Sequence, residues 1–130
     1  MTAEATPVLI RKVMLVAAPW PLFNRPSIQI SALKAYLNQH IPDVRIHAWH
    51  LFLNIAEAIG YKAYQALSQR TWLAETIYAV ILHPERATSI EKLYLQHAKH
   101  EPDLEHLAFN DLVHKVKSAT DTLIRQKKWQ

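Results

Sequence analysis

From Ile10 to Ala18 the chain is almost continuously apolar after Lys12. Such a run predicts a strand covered on both faces, as in a parallel sheet. Pro19-Trp20-Pro21 follows as an extended loop, because proline fixes its own φ and restricts the residue before it. Pro26-Ser27 then opens a helix, with Ser27 as N-cap. Ile30, Leu33, Tyr36 and Leu37 share one face of it, and it ends near His40, before Pro42. Asp43 to Phe52 reads as a second strand. Val44, Ile46, Ala48, His50 and Phe52 lie on one face, and Arg45, His47, Trp49 and Leu51 on the other. Strand, crossover helix and strand make a βαβ unit.

Beyond this point the period becomes helical. Asn54 and Glu57 have capping-box spacing and open a helix to about Ser68, with Gly60 as a close packing point or kink inside it. Thr71 to Leu82 is a further helix, closed by His83-Pro84. Thr88 and Glu91 repeat the capping-box spacing for a helix to about Lys99. Pro102-Asp103 starts a long last helix reaching Trp129, with the stripe Leu104, Leu107, Ala108, Leu112, Val116, Ala119 and Leu123. The fold class is therefore α/β: a βαβ, Rossmann-like start with a small parallel sheet over 1–53, followed by a mostly helical half over 54–130. The whole reads as a single partial domain. Two strands are too few for an independently stable sheet, and their outer edges invite pairing. Either the helices cover them, or a second copy completes the sheet, or the remaining strands belong to a longer parent protein.

Composition narrows the chemistry. The 130 residues are room for one domain, and their 50% hydrophobic and 20% charged content is globular. There is no cysteine, which excludes disulfides, thiolate nucleophiles and cysteine-held zinc or iron–sulfur clusters in these residues. With one glycine, neither a Walker loop nor G-x-G-x-x-G is present. The net charge of +4 is spread along the chain, so it does not form the concentrated basic face of a nucleic-acid binder. Its densest cluster, Arg125, Lys127 and Lys128, suits the dipole of a helix C-terminus. No apolar run approaches the length of a membrane span, and no signal-peptide core is found, which points to a cytoplasmic protein.

Ala18-Pro19-Trp20-Pro21, Arg25-Pro26-Ser27, Gln29 and Leu33-Lys34-Ala35-Tyr36-Leu37 form one set of residues. His50-Leu51-Phe52, Ile59-Gly60-Tyr61, Trp72-Leu73-Ala74-Glu75 and His83-Pro84 continue it. Together they resemble the start of a cobalamin-binding radical S-adenosylmethionine protein, of the group associated with maturation of ribosomal peptides. That family's radical chemistry needs a three-cysteine cluster motif, which this chain lacks. The Asp-x-His-x-x-Gly motif of some cobalamin domains is also missing, and the family's later glycine-rich turns have no counterpart before Gln130.

The resemblance thus implies the N-terminal part of a cobalamin-binding domain, not catalytic by itself and without an iron–sulfur cluster. The rest of a longer protein or a second copy is the implied partner. It places the cofactor-binding residues in the loop after the first strand: Pro19, Trp20, Asn24, Arg25, Ser27 and Gln29. Ligands of open α/β sheets bind beyond the carboxyl ends of strands. There Trp20 would pack on a flat macrocycle, while Asn24, Arg25, Ser27 and Gln29 would reach amide or phosphate groups. The alternative is that Trp20 and Phe23 plug the core and Arg25 makes a surface pair.

Other constellations are less specific. His47 and His50 point to opposite faces of a strand, whereas His97 with His100, and His106 with His114, align on helices. None has His-Glu-x-x-His form, and no metal or catalytic residue is assigned. Glu101, Asp103 and Glu105 suit the N-terminus of the last helix. The serines lack a nucleophile-elbow context. The two helices around Pro84 are poor for groove insertion, since the second carries only Lys92 and Lys99 as cations. The competing functional reading is a non-enzymatic module for oligomerisation or protein interaction, using the open sheet edge and the long last helix.

Overall fold

A computed structural model describes Leu9 and residues 11–126. The chain forms two compact units, one built from residues up to Ala17 together with Ser27–Trp49, the other from Ala18–Pro26 and the residues from His50 onward.

The first unit holds strand β1 (Lys12–Ala17), helix α1 (Ile28–His40) and most of strand β2 (Arg45–His50). The two strands pair in parallel as a two-stranded sheet, and the Arg45 N–H donates to the Arg11 carbonyl at 2.9 Å. The α/β class and the parallel βαβ start are as the pattern predicts. Ser27 is the N-cap: its backbone is extended and its Oγ accepts from the Ile30 N–H at 3.4 Å. That leaves one fewer unpaired amide in the first turn. The Ile41 N–H closes the other end on the Leu37 carbonyl at 2.8 Å, just before Pro42.

Burial in this unit departs from expectation. β1 is not covered on both faces: Val13, Met14 and Leu15 are half-buried and Val16 is 44% exposed. No residue of α1 is buried. Its inward stripe is Ile30, Lys34 and Leu37, at i, i+4 and i+7, whereas Leu33 and Tyr36 of the predicted face are exposed. Ile10, Pro7 and the rest of the lead-in lie outside the described residues.

The second unit is helical: α2 (Leu51–Ile59), α3 (Tyr61–Ser68), α4 (Thr71–Leu82), a 3-10 turn at Pro84–Arg86, α5 (Ala87–Ala98) and α6 (Phe109–Gln126). α2 packs on α6 and α3, and α4 on α5, α6 and α3. Phe52, Ile55, Tyr64, Leu67, Leu73, Ile77, Tyr94, Leu112 and Val116 are almost completely removed from solvent. Tyr94 stacks on Phe109 with ring centroids 4.5 Å apart.

Several predicted boundaries are corrected here. The second strand stops at His50, and Leu51 and Phe52 begin α2 directly. Leu51, Phe52, Ile55, Ala56 and Ile59 are all buried, so burial of a helical face decides this stretch. Asn54 therefore lies inside α2, and neither it nor Thr88 caps a helix, since α5 already starts at Ala87. Gly60 does interrupt the Leu51–Ser68 segment. It takes φ 95° and ψ 140°, a backbone that residues with a Cβ rarely adopt, and separates α2 from α3.

The last helix begins at Phe109, not Pro102-Asp103. Before it the chain makes i→i+3 turns, from the Leu104 N–H to Glu101 and from the Leu107 N–H to Leu104, so Leu104 is buried from a turn rather than a helix. Ala108 of the predicted stripe is exposed. Among the described residues no helix is long and apolar enough to cross a membrane.

Candidate functional site

The loop Ala18–Pro26 belongs to the helical unit, and Ser27 and Gln29 to the βαβ unit. The Arg25 N–H donates to the Leu22 carbonyl at 3.2 Å, which makes Phe23 and Asn24 the central pair of a four-residue turn. Asparagine favours such positions because its short side chain tolerates tight backbone conformations. Asn24, Arg25 and Gln29 are exposed, Pro19 and Trp20 half-buried. The Pro19–Trp20 peptide bond is cis. Ser27 is occupied as the helix cap, and its hydroxyl lies 3.3 Å from Gln29 Oε1.

Aromatic contacts anchor the loop. The Trp20 ring lies 5.5 Å from Tyr64 and 6.0 Å from Tyr78, centroid to centroid. Phe23 lies 5.0 Å from Tyr61 and 6.4 Å, edge-on, from Tyr64. The Tyr64 hydroxyl donates to the Pro21 carbonyl at 2.6 Å. Tyr64 is 0% exposed, and burial pushes its phenol well above the ordinary 10.0, with Tyr78 adding to the rise. Burial also raises Tyr78, opposed by its hydrogen bond to Thr120. The Thr120 hydroxyl donates to the Val116 carbonyl at 2.8 Å and shares a 3.2 Å hydrogen bond with the Tyr78 hydroxyl.

The arrangement separates two roles among the sequence-predicted residues. Trp20 is engaged by two tyrosines, as the core-plug alternative has it, and Phe23 joins it there. Asn24 and Arg25 remain at the surface, and Arg25 forms no ion pair among the described residues. Sequence reasoning missed Tyr64 and Tyr78. Tyr61 and Tyr64, one helical turn apart, were the available signal, but their partners lie about 40 residues earlier in the chain.

The histidine pairs do not assemble. His100 lies beyond the end of α5 and His106 before the start of α6, so neither pair is on one helix. No group of three or more histidine or carboxylate side chains suitable for a metal occurs among the described residues. Glu101, Asp103 and Glu105 precede the last helix by several residues and do not flank its N-terminus; Glu101 instead pairs with Arg70. Arg125 does sit in the last turn of α6, while Lys127 and Lys128 lie outside the described residues. Two buried polar atoms, His50 Nε2 and the Tyr94 hydroxyl, have no hydrogen-bond partner.

Compared with known proteins, the chain matches no family model, no curated protein and no solved structure.

Proposed function

We propose that this chain is the opening part of a cobalamin-binding layer, similar to that of cobalamin-dependent radical S-adenosylmethionine proteins of peptide maturation. It acts in the cytoplasm and has no catalysis of its own. The observation that carries the reading is the loop Ala18–Pro26 that follows β1 in the chain, whose Asn24 and Arg25 side chains are exposed and polar. Strand carboxyl ends are where open α/β sheets bind ligands. Arg25 offers a fork of donors to a phosphate, and Asn24 offers donors and an acceptor to amide groups, both of which a corrinoid carries. In this proposal Pro19 and Trp20 shape the loop and Ser27 ends it. Cobalamin, when bound, would supply methyl-carrying cobalt chemistry; this chain's residues bind and orient.

Titration with hydroxocobalamin tests the proposal. A shift in the corrinoid absorption bands and co-elution on gel filtration are expected for the wild-type chain, weakened by Arg25→Ala. An unchanged spectrum with no co-elution overturns the proposal for this chain.

A second reading has its own support. We infer that the βαβ unit takes part in assembly, with a second copy or with another segment of a parent protein. Two parallel strands leave an outer edge each, and Ile28, Leu33 and Tyr36 of α1 are 77%, 46% and 58% exposed. An open groove in this unit is lined by Leu37, Ile41, Val44 and Ile46 together with Arg11 and Arg45. Light scattering tests the homo-oligomer form: a mass above one chain that falls on dilution supports it, and a concentration-independent monomer removes it.

A further inference from the structure

We infer that Tyr64 is the positioning residue of the Pro19–Pro26 loop, holding Asn24 and Arg25 ready at its tip for the phosphate or amide groups of a ligand; the ligand part rests on the corrinoid proposal above.

Three points of the loop converge on this one side chain. Trp20 packs against its ring at 5.5 Å, Phe23 meets it edge-on at 6.4 Å, and its hydroxyl donates to the Pro21 carbonyl at 2.6 Å. Tyr64 itself is 0% exposed on α3, so its ring and hydroxyl are enclosed by packing to which the loop contributes. The remaining loop contacts reinforce the same pose. Tyr61 supports Phe23 from one turn earlier on α3, and Tyr78, tied through Thr120 to the Val116 carbonyl of α6, supports Trp20. The loop is thereby held from α3 and α4, and Tyr78 of α4 is itself tied to α6.

The consequence concerns the two residues that are not held. Asn24 follows Phe23 directly and Arg25 closes the turn on Leu22, so anchoring Phe23 orients both. A loop that must be ordered by its ligand spends binding free energy on that ordering, whereas one already ordered does not. The chain has no glycine between Ala18 and Gln29 and three prolines at 19, 21 and 26, which further limits the unbound loop's alternatives. Trp20 accordingly serves to hold the loop rather than to face a macrocycle.

Tyr64→Phe removes the hydroxyl and keeps the ring. Tyr94→Phe is the matched control: Tyr94 is also buried, but its hydroxyl has no partner. Amide hydrogen exchange across 20–26 is measured first, without ligand. Exchange at Arg25, whose N–H is bonded to the Leu22 carbonyl, is expected to rise about fivefold in Tyr64→Phe, the scale of one lost hydrogen bond, and to stay at the wild-type rate in Tyr94→Phe. Unchanged exchange in Tyr64→Phe, or an equal rise in Tyr94→Phe, overturns the positioning role. Hydroxocobalamin is then titrated into all three proteins. Weaker binding by Tyr64→Phe but not by Tyr94→Phe, with melting temperatures alike, supports the role in binding. Equal affinity in all three overturns it. If the wild type does not bind while the exchange contrast holds, the corrinoid proposal and the ligand part fail, and the loop-holding role stands.

Discussion

The two units treat the same kind of residue in opposite ways. Leu67 of α3 is 0% exposed and Leu33 of α1 is 46% exposed, although both occupy regular helices with apolar neighbours. The helical unit encloses large side chains from each of α2 to α6. Among the described residues of the βαβ unit only Ala17 and Ile46 are less than a tenth exposed, and its helix buries nothing. Apolar periodicity therefore marks surface that is to be covered, without saying by what. A helix among four others finds its partners inside the chain. A helix over two strands does not, because two strands present too narrow a face.

The largest effect that sharpens this contrast is truncation of matched leucines. Leu67→Ala is expected to cost about 3 kcal/mol in chemical denaturation, the usual range for a closed core. Leu33→Ala should change stability by less than about 0.5 kcal/mol in the same assay, as exposed helix positions do. A large loss for Leu33→Ala would mean that α1 is covered in solution.

Next comes Gly60→Ala. A Cβ there would meet no atom within 4 Å, so the penalty is purely that of φ 95° and amounts to about 1–3 kcal/mol. It should fall on the helical unit, read as a lower melting temperature by circular dichroism at 222 nm. Ser27→Ala is smaller, about 1 kcal/mol, and local: it removes the cap of α1 and should raise amide exchange in that helix alone.

Alkaline pH acts in the other unit. Tyr64, Tyr78 and Tyr94 are all raised above 10.0 by burial. The unfolded chain loses these protons first, so the folded state binds more of them above pH 10. Stability should be level below about pH 9 and fall as pH rises beyond 10. A melting temperature that rises across that range would contradict the burial of these tyrosines.

The sequence made part of this organisation legible. β1, α1, α4 and the Ser27 cap each follow from a local signal, a long apolar run or a capping residue, whereas Gly60, read as a packing point or kink inside one helix, separates two. The junction at Leu51 did not, because strand alternation through His50 and Phe52 overlaps the first turn of a helical stripe, and both periods fit those residues. The capping-box spacings at Asn54 and Thr88 misled for a related reason: that spacing also occurs inside helices, and burial of Leu51 and Phe52 sets the real start of α2.

In the loop, the resemblance pointed to Asn24 and Arg25, and the structure leaves both exposed. The contacts of Tyr64 with the loop were not legible, since they join residues more than 40 apart in the chain. Trp20 shows the limit most clearly: a tryptophan beside prolines reads equally well as a ligand platform and as an anchor, and only its neighbours decide.

Native-state hydrogen exchange tests the contrast between the units most directly. Amides of α2 to α4 are expected to exchange only through the highest-energy openings, and those of α1, β1 and β2 at least about a hundredfold faster, because few buried apolar contacts resist their opening. Equal protection of α1 and α4 in a protein that light scattering shows to be monomeric would contradict the account.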